Sequence, residues 1–445
     1  MEHNSLEEKF HRVPNLRDAL RNSPTGFYVF PVPDEHTNWR DEQAAWINSA
    51  VLFDQSYHMS DVYVTGPDKF RLLSDLSIND FSNFEPMRAV QMVNCANDGY
   101  IIGDAIVFHL ANGSLNIIGK PASGNWISFV AATKNYDVNI SRTQRVLDGD
   151  NRRRDFRLQL QGPNAFAILE ACNGGPVPDT KFFGMCEFKI GDCQVTGLRH
   201  GMADAPGMEF WGPYEHKQAV LETLISAGEL LGMKRGGGRT YSTAGPQSGW
   251  VGSVLPAIYS GDDMLAYREW LPADGFEGML SIGGSHMSEQ IEGYYLDPWD
   301  LGYHRLIHWD HEFKGRDALL KKRDGKHRKK VWLRWHKDDV LKIAGSLYGD
   351  SERYKYLEAP AAHYATIPYD EVTVAGRQIG ISVYAAYTVS AGSWFSIGIL
   401  NEDEIEYGKD VSITWGEPEG VTGKLSVEPH EQTEIRATIS RSARG

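Results

Sequence analysis

Three histidines, His304, His308 and His311, crowd into GYHRLIHWDHEF, a spacing that would interest a metal ion. No carboxylate or cysteine completes a known ligand pattern around them, so they read as surface or interdomain residues. The run Gly236-Gly237-Gly238-Arg239 invites a phosphate-cradling reading. It lacks the Lys-Ser/Thr ending of a P-loop and the spacing of a dinucleotide fingerprint, and is assigned to a turn. No Gly-x-Ser-x-Gly elbow occurs, which disfavours a serine hydrolase. Cys95, Cys172, Cys186 and Cys193 contain no CxxC pair, and so make neither a disulfide framework nor a structural zinc site. Generic motifs stop at a soluble multidomain enzyme or binding protein.

The chain that must position any chemistry is 445 residues long, which fits two or three domains rather than one core. With 45 Lys and Arg against 59 Asp and Glu, the formal charge is −14. That balance argues against nucleic acid or an anionic membrane as the main partner, since both need a basic footprint. An anionic small substrate stays open, because one local cation outweighs a distant global charge. No apolar run reaches the 18 or so residues of a membrane span. The polar start MEHNSLEEKFHRVPNLRDAL has no signal-peptide core, and a reducing cytoplasm is the expected location.

Along the chain, helices are expected over the first thirty residues, interrupted at Pro14, and over Asn38–Ser49. VLFDQSYHMSDVYVTG alternates as one strand, and DKFRLLSDLS restarts a helix behind Gly66-Pro67. AVQMVNCA and YIIGDAIVFHL form a hairpin over Asn97-Asp98-Gly99, SLNIIG is a further strand and ASGNWISFVAATKN a helix. The order is an antiparallel α+β layer, not a doubly wound sheet. RLQLQGPNAFAILEAC then echoes VYVTGPDKFRLLSD as strand, Gly-Pro turn and helix, as a duplicated unit would. HKQAVLETLISAGELLG is an amphipathic helix closed by Gly232. The basic run 321–330 reads as a solvated loop at a boundary, and the tail after it is β-rich.

Larger blocks carry a resemblance. LQLQGPNAFAIL, GLRHGMADAPGMEFWGP, GYHRLIHWDHEFKGRDALLKK and NDGYIIGDAIVF are similar, in order and spacing, to the tetrahydrofolate-dependent aminomethyltransferases, the T-protein type of the glycine cleavage system. NWRDEQAAWINSAVLFDQSYHM, GRTYSTAGPQSGW, LPAIYSGD, AYREWLPA and SVEPHEQ resemble one branch of them, the bacterial tetrahydrofolate-dependent aryl O-demethylases acting on vanillate, syringate and related methoxybenzoates. The resemblance covers nearly the whole chain. It implies an α+β fold of three domains in a cloverleaf around a central folate channel: 1–52 with 153–250 as the folate-binding domain, 53–152 with 251–320 as a second α+β domain, and 321–445 as a C-terminal β-rich domain. It also implies a cytoplasmic methyltransferase of aromatic catabolism, using tetrahydrofolate and a small aromatic carboxylate, with no nucleic acid, membrane or metal.

The same resemblance implies roles for individual residues. Glu209 matches the glutamate that anchors the pterin, where an ionised carboxylate accepts two parallel N–H bonds. Trp250 matches an aromatic beside the folate, and Gln161 in the LQGP turn faces it too. Tyr241 matches the tyrosine of the demethylation step. Displacing a phenoxide needs a proton donor for the developing charge, and a phenol with a pKa of about 10 is well matched to it. His58 is the second candidate donor. Lys120, Gln55 and Phe30 fall at substrate positions. Lys120 stands where vanillate-type enzymes carry an arginine, and so offers a carboxylate a point charge without the fork; the bland reading leaves its ammonium in solvent. Phe30 stands where they carry a tyrosine. Both departures favour a methoxybenzoate lacking the para-hydroxyl, such as a chlorinated one, at least as much as vanillate or syringate. Asp104 matches an aspartate that handles the amine in aminomethyl transfer, a task absent from demethylation. The alternatives are an aminomethyltransferase, against which YSTAGPQSGW replaces that branch's own stretch, and a non-catalytic folate-binding protein.

Overall fold

The computed structural model describes residues 4–146, 153–350 and 352–445. Its three sheets follow the expected α+β plan. A six-stranded sheet runs, in spatial order, Met233–Gly236, Ala50–Asp54, Asp155–Gln161, Gly207–Pro213, Cys193–Arg199 and Met185–Ile190. A five-stranded sheet runs Arg88–Cys95, Ile101–His109, Leu115–Gly119, Ser60–Thr65 and Asn139–Thr143. Antiparallel pairing dominates both, and the strand Ala50–Asp54 against Met233–Gly236 is a parallel exception. The third sheet has seven strands. Asp410–Trp415 pairs both with Thr433–Ser440 and back with Ile367–Val374, so this sheet curls toward a barrel.

The duplicated unit has a backbone signature. Gly66 and Gly162 both have φ in the left-handed region, at 108° and 131°. A Cβ on either would lie 2.4–2.5 Å from a main-chain oxygen, Asp137 O or Ser49 O. Only glycine can end the strand this way. The residues at the two helix starts, Asp68 and Asn164, share nearly the same conformation, φ −88° with ψ 6° and φ −93° with ψ 3°.

Two expectations need correction. VLFDQSYHMSDVYVTG is two strands, Ala50–Asp54 and Ser60–Thr65, in different sheets. The bend between them carries Gln55 and His58 from one layer to the other, and alternation alone could not show where the chain changes sheet. The basic run 321–330 is not a free loop. Its start completes the helix Arg316–Lys322 and its end opens the strand Arg328–Trp335. Arg328 grips Asp300 with two bonds of 2.9 and 2.5 Å, while Lys326 and Lys329 pair with Asp403 and Glu402. The β-rich tail also holds an unexpected helix, Lys337–Gly345. No helix among the described residues is long and apolar enough to cross a membrane.

Strand periodicity places the chemistry. On Asp155–Gln161, Phe156, Leu158 and Leu160 enter the core beneath the helices, each contributing about 1.5–3 kcal/mol. Arg157, Gln159 and Gln161 point to the other face, yet they too are buried. Three buried polar side chains at period two mark a face turned toward something other than water.

Candidate active site

That face opens on a cavity of about 290 Å³ lined from all three sheets and the bends between them. Phe30, Gln55, His58, Lys120, Glu209, Tyr241 and Trp250 all line it. Gln161 does not. It stands behind the wall, its amide donating to His200 O at 2.8 Å and accepting from Met202 N at 3.1 Å, and so holds the 200–202 loop that does line the space.

At one end lie Glu209 and Tyr241. Glu209 is buried, with Oε1 bonded to Arg157 Nη1. Arg157 is shared with Asp61 at 3.7 Å, on the five-stranded sheet, and lies over the rings of Phe108 and Trp211. Asp61 bonds Arg153 in turn, so a chain of alternating charges stitches the two sheets together below the cavity. Beside Glu209, Gln159 Nε2 and Gln55 Oε1 are buried without hydrogen-bond partners among the described residues, as is His200 Nδ1. Such orphaned atoms are costly unless a ligand meets them.

Tyr241 sits on the short helix Gly238–Tyr241 that follows the glycine run. Glu42, fully buried, positions this helix by accepting from Gly237 N at 2.9 Å, Thr240 Oγ1 at 2.7 Å, His36 N at 2.7 Å and Thr37 N at 3.0 Å. Burial opposes its charge, but these bonds prevail and hold its pKa below the usual carboxylate range. Gly236 is required because a Cβ there would strike the Phe53 ring at 2.2 Å, and that ring packs 5.1 Å from Tyr241. The Tyr241 oxygen accepts from Gln55 Nε2 at 2.8 Å, leaving its own proton free to point at a ligand. Burial, and then the Glu209 charge, push the Tyr241 pKa well above that of an ordinary phenol. It stays protonated.

His58 packs edge-on to Tyr241 and Phe30, at 5.2 and 5.3 Å between centroids. Burial, reinforced by the Lys120 and Arg153 charges, lowers its pKa to about 3. It is a neutral imidazole, not an imidazolium acid. Phe30 forms the middle of the wall, 4.9 Å from Tyr241 and 6.1 Å from Phe27.

The other end is cationic. Lys120 Nζ donates to Ser253 Oγ and lies 4.5 Å over the Tyr28 ring, with Arg145 at 4.7 Å from the same ring. Burial lowers the Lys120 pKa to about 7; Asp104 raises it and Arg145 lowers it further. At the mouth, Trp250 leaves 43% of its surface exposed while its Nε1 reaches Asp104 Oδ2 at 3.4 Å. That oxygen also accepts from Gln91 at 2.7 Å and Tyr303 at 2.8 Å. No cluster of three His, Cys, Asp or Glu among the described residues is placed to hold a metal ion.

Arg157, Gln159, His200, Glu42 and His363 escaped the reading of the sequence. For the first two a signal existed, since DFRLQLQ alternates polar with apolar; what it lacked was the burial of both faces.

The family model described as the GCVT N-terminal domain matches residues 22–245. The chain is 43% identical to the syringate O-demethylase of Sphingobium sp. (strain NBRC 103272 / SYK-6), over 98% of this chain and 95% of that relative. It is 25% identical to the sesamin methylene transferase of Sinomonas sp. (strain No.22), over 92% of this chain and 89% of the relative. Among solved structures, the glycine cleavage system aminomethyltransferase T from Bartonella henselae superposes with a TM-score of 0.58 at 16% identity, covering 98% of this chain and 96% of that one. This last is a likeness of fold alone.

Proposed function

The chain belongs to the family of the GCVT N-terminal domain, and from that premise we propose that it is a tetrahydrofolate-dependent aryl O-demethylase. It moves the methyl group of a methoxybenzoate to tetrahydrofolate, giving a phenol and 5-methyltetrahydrofolate. The observation that carries this reading is one cavity that brings together Tyr241, with a proton to offer, the carboxylate of Glu209 and the cation of Lys120.

The donor set suits a pterin. Glu209 accepts from its amino-pyrimidine edge, the orphaned Gln159 and Gln55 atoms meet the remaining polar groups, and Trp250 offers a stacking face at the mouth. Gln161 positions the loop beside it. Tetrahydrofolate, when bound, would supply N5–H as the nucleophile for the methyl carbon and release that proton, which balances the one gained by the phenol. The O–CH₃ bond breaks with its electron pair going to the aryl oxygen, where the Tyr241 hydroxyl meets the growing charge. Gln55 keeps that hydroxyl turned toward the leaving oxygen. His58, neutral, packs against the Tyr241 and Phe30 rings and has no imidazolium proton to supply. Phe30 lines the cavity with no hydroxyl, so a methoxybenzoate lacking a para-hydroxyl fits at least as well as vanillate or syringate. We place the reaction in the cytoplasm, with no nucleic acid or membrane partner. Incubation with tetrahydrofolate and a panel of methoxybenzoates, read by mass spectrometry, tests the whole reading.

An aminomethyl transfer draws less support. Asp104 spends one oxygen on three donors, and burial pushes its pKa up, an arrangement poor at attracting an ammonium.

A displacement needs no oxidant, so demethylation should proceed anaerobically and undiminished by chelator, with one 5-methyltetrahydrofolate per phenol. Formaldehyde as a product would refute the displacement.

Lys120 gives a pH signature. Its protonated form binds the carboxylate, so below about pH 7 the site is ready charged, and above that pKa each pH unit adds a proton-uptake cost. KM for 3-methoxybenzoate should therefore rise about tenfold per unit above that pH, until the higher pKa of the complex is reached. Asp104, Arg145, Tyr28 and neutral His58 surround the ammonium and set this window. Neutral anisoles should show no such dependence. Lys120→Ala should abolish it and raise KM for acids alone, whereas Lys120→Arg should remove the pH step and keep the affinity. A flat acid profile in the wild type would place the carboxylate elsewhere.

A further inference from the structure

Beside Lys120, the cavity wall includes His363 and Tyr384, the latter on the third sheet. His363, 7% exposed, lines the cavity, and neither ring nitrogen makes a well-formed hydrogen bond among the described residues, although the main chain of Tyr384 and Ala385 lies close enough to act on the ring. Its ring is fixed by Phe27 at 4.6 Å and Tyr384 at 5.1 Å. Tyr384 also lines the cavity and holds φ 56°, the left-handed region, inside a bulge between Val383 and Ala386. A bulky aromatic in that region is strained, and bulges re-aim side chains beside active sites. The Tyr384 hydroxyl is tied to Ser253 O at 3.2 Å and Thr366 O at 3.3 Å, and Ser253 Oγ is the group that Lys120 holds. His363, Tyr384, Ser253 and Lys120 thus form one corner.

We propose that His363 is a substrate-binding residue that shares the aryl carboxylate with Lys120, donating an N–H to one carboxylate oxygen while the ammonium meets the other. It rests on the aryl-acid reading of the cavity and names the group that makes a lysine sufficient. A carboxylate offers about four lone-pair sites on two oxygens. An arginine fork meets both oxygens in one plane, whereas an ammonium that gives one of its three N–H donors to Ser253 meets a carboxylate as a point charge without that fork. A neutral imidazole supplies the second donor. Burial lowers the His363 pKa to about 3, the main chain at Tyr384 and Ala385 pulls the other way, and the Lys120 charge adds to the lowering. The ring is neutral in the empty site and so has one N–H to donate.

The test compares His363→Leu and His363→Gln with the full-length wild type, using calorimetry with 3-methoxybenzoate, its methyl ester and tetrahydrofolate. His363→Leu should weaken the acid about tenfold or more, as expected for a lost hydrogen bond to a charged group, and leave the ester and tetrahydrofolate unchanged. Its melting temperature should hold or rise, because a buried unsatisfied polar group has been removed. His363→Gln should recover much of the acid affinity through its amide N–H. Adding Lys120→Arg to His363→Leu should recover it too, since the fork supplies both donors. Equal losses for acid and ester, or no loss for either, would overturn the proposal, as would a lowered melting temperature with all three ligands weakened. Turnover by the wild type decides the demethylase reading separately: tight acid binding without demethylation would sink that reading and leave His363 decided by binding alone.

Discussion

Tyr241→Phe should lower kcat about 10²–10⁴-fold, the range typical of a lost general acid, while KM for the methoxybenzoate and affinity for tetrahydrofolate stay close to wild type. Only a hydroxyl is removed, and the ring keeps its packing against Phe53, Phe30 and His58. An interaction made only in the transition state is lost from kcat rather than KM. Because burial and Glu209 raise the Tyr241 pKa above that of an ordinary phenol, a donor role for Tyr241 would share the proton with the departing oxygen rather than surrender it early. Two consequences separate this role from mere positioning. The rate should show no limb from Tyr241 ionisation across the neutral range, since the phenol stays protonated there. Substrates whose phenols are more acidic, such as chlorinated ones, should lose less, because less charge needs meeting. His58→Phe should be much milder, since a group with a pKa of about 3 carries no proton to give at neutral pH. A uniform loss across leaving groups would reassign Tyr241 to orientation. Gln55→Leu should reproduce part of the defect, because it removes the amide that donates to the Tyr241 oxygen and so fixes the hydroxyl's orientation.

How far the sequence led is clearest where local and long-range information part. The two Gly-Pro turns announced a duplicated unit, and the structure gives them matching backbones at Gly66 and Gly162. Hairpins closed by Asp-Gly and helices of regular period were legible for the same reason: their causes lie within a few residues. The jump between sheets at 55–59 was not, because alternation reports which residues are inward and never which sheet receives them. Glu209, Tyr241, His58 and Lys120 were reached through resemblance, and the structure lines one cavity with all four. Their supporting residues were out of reach. Glu42 serves Tyr241 from 199 positions away, through Gly237 and Thr240. His363 lies in AAHYAT, whose pattern says nothing of the wall it joins. Arg157 is an unremarkable strand residue until Asp61 and Glu209 are placed around it.

That arrangement makes Glu209 the site where folding and binding are hardest to separate. Glu209→Gln should weaken tetrahydrofolate about tenfold or more, the loss of about 1.5–3 kcal/mol expected for a hydrogen bond to a charged group. It should also destabilise the fold, because removing one member of a buried pair leaves the other uncompensated, at up to about 3–5 kcal/mol. Here Arg157 keeps Asp61 at 3.7 Å, so the stability loss should fall at or below the low end of that range. Asp61→Asn disentangles the two effects. It unsettles the same guanidinium, and Arg153 as well, but lies outside the cavity lining. If Glu209 touches the pterin, Asp61→Asn should cost stability with tetrahydrofolate affinity largely kept, while Glu209→Gln costs both, as read by thermal melts and calorimetry. If the two variants lose tetrahydrofolate equally at equal loss of stability, Glu209 acts through Arg157 and the junction between the sheets, and its contact with the pterin must be given up.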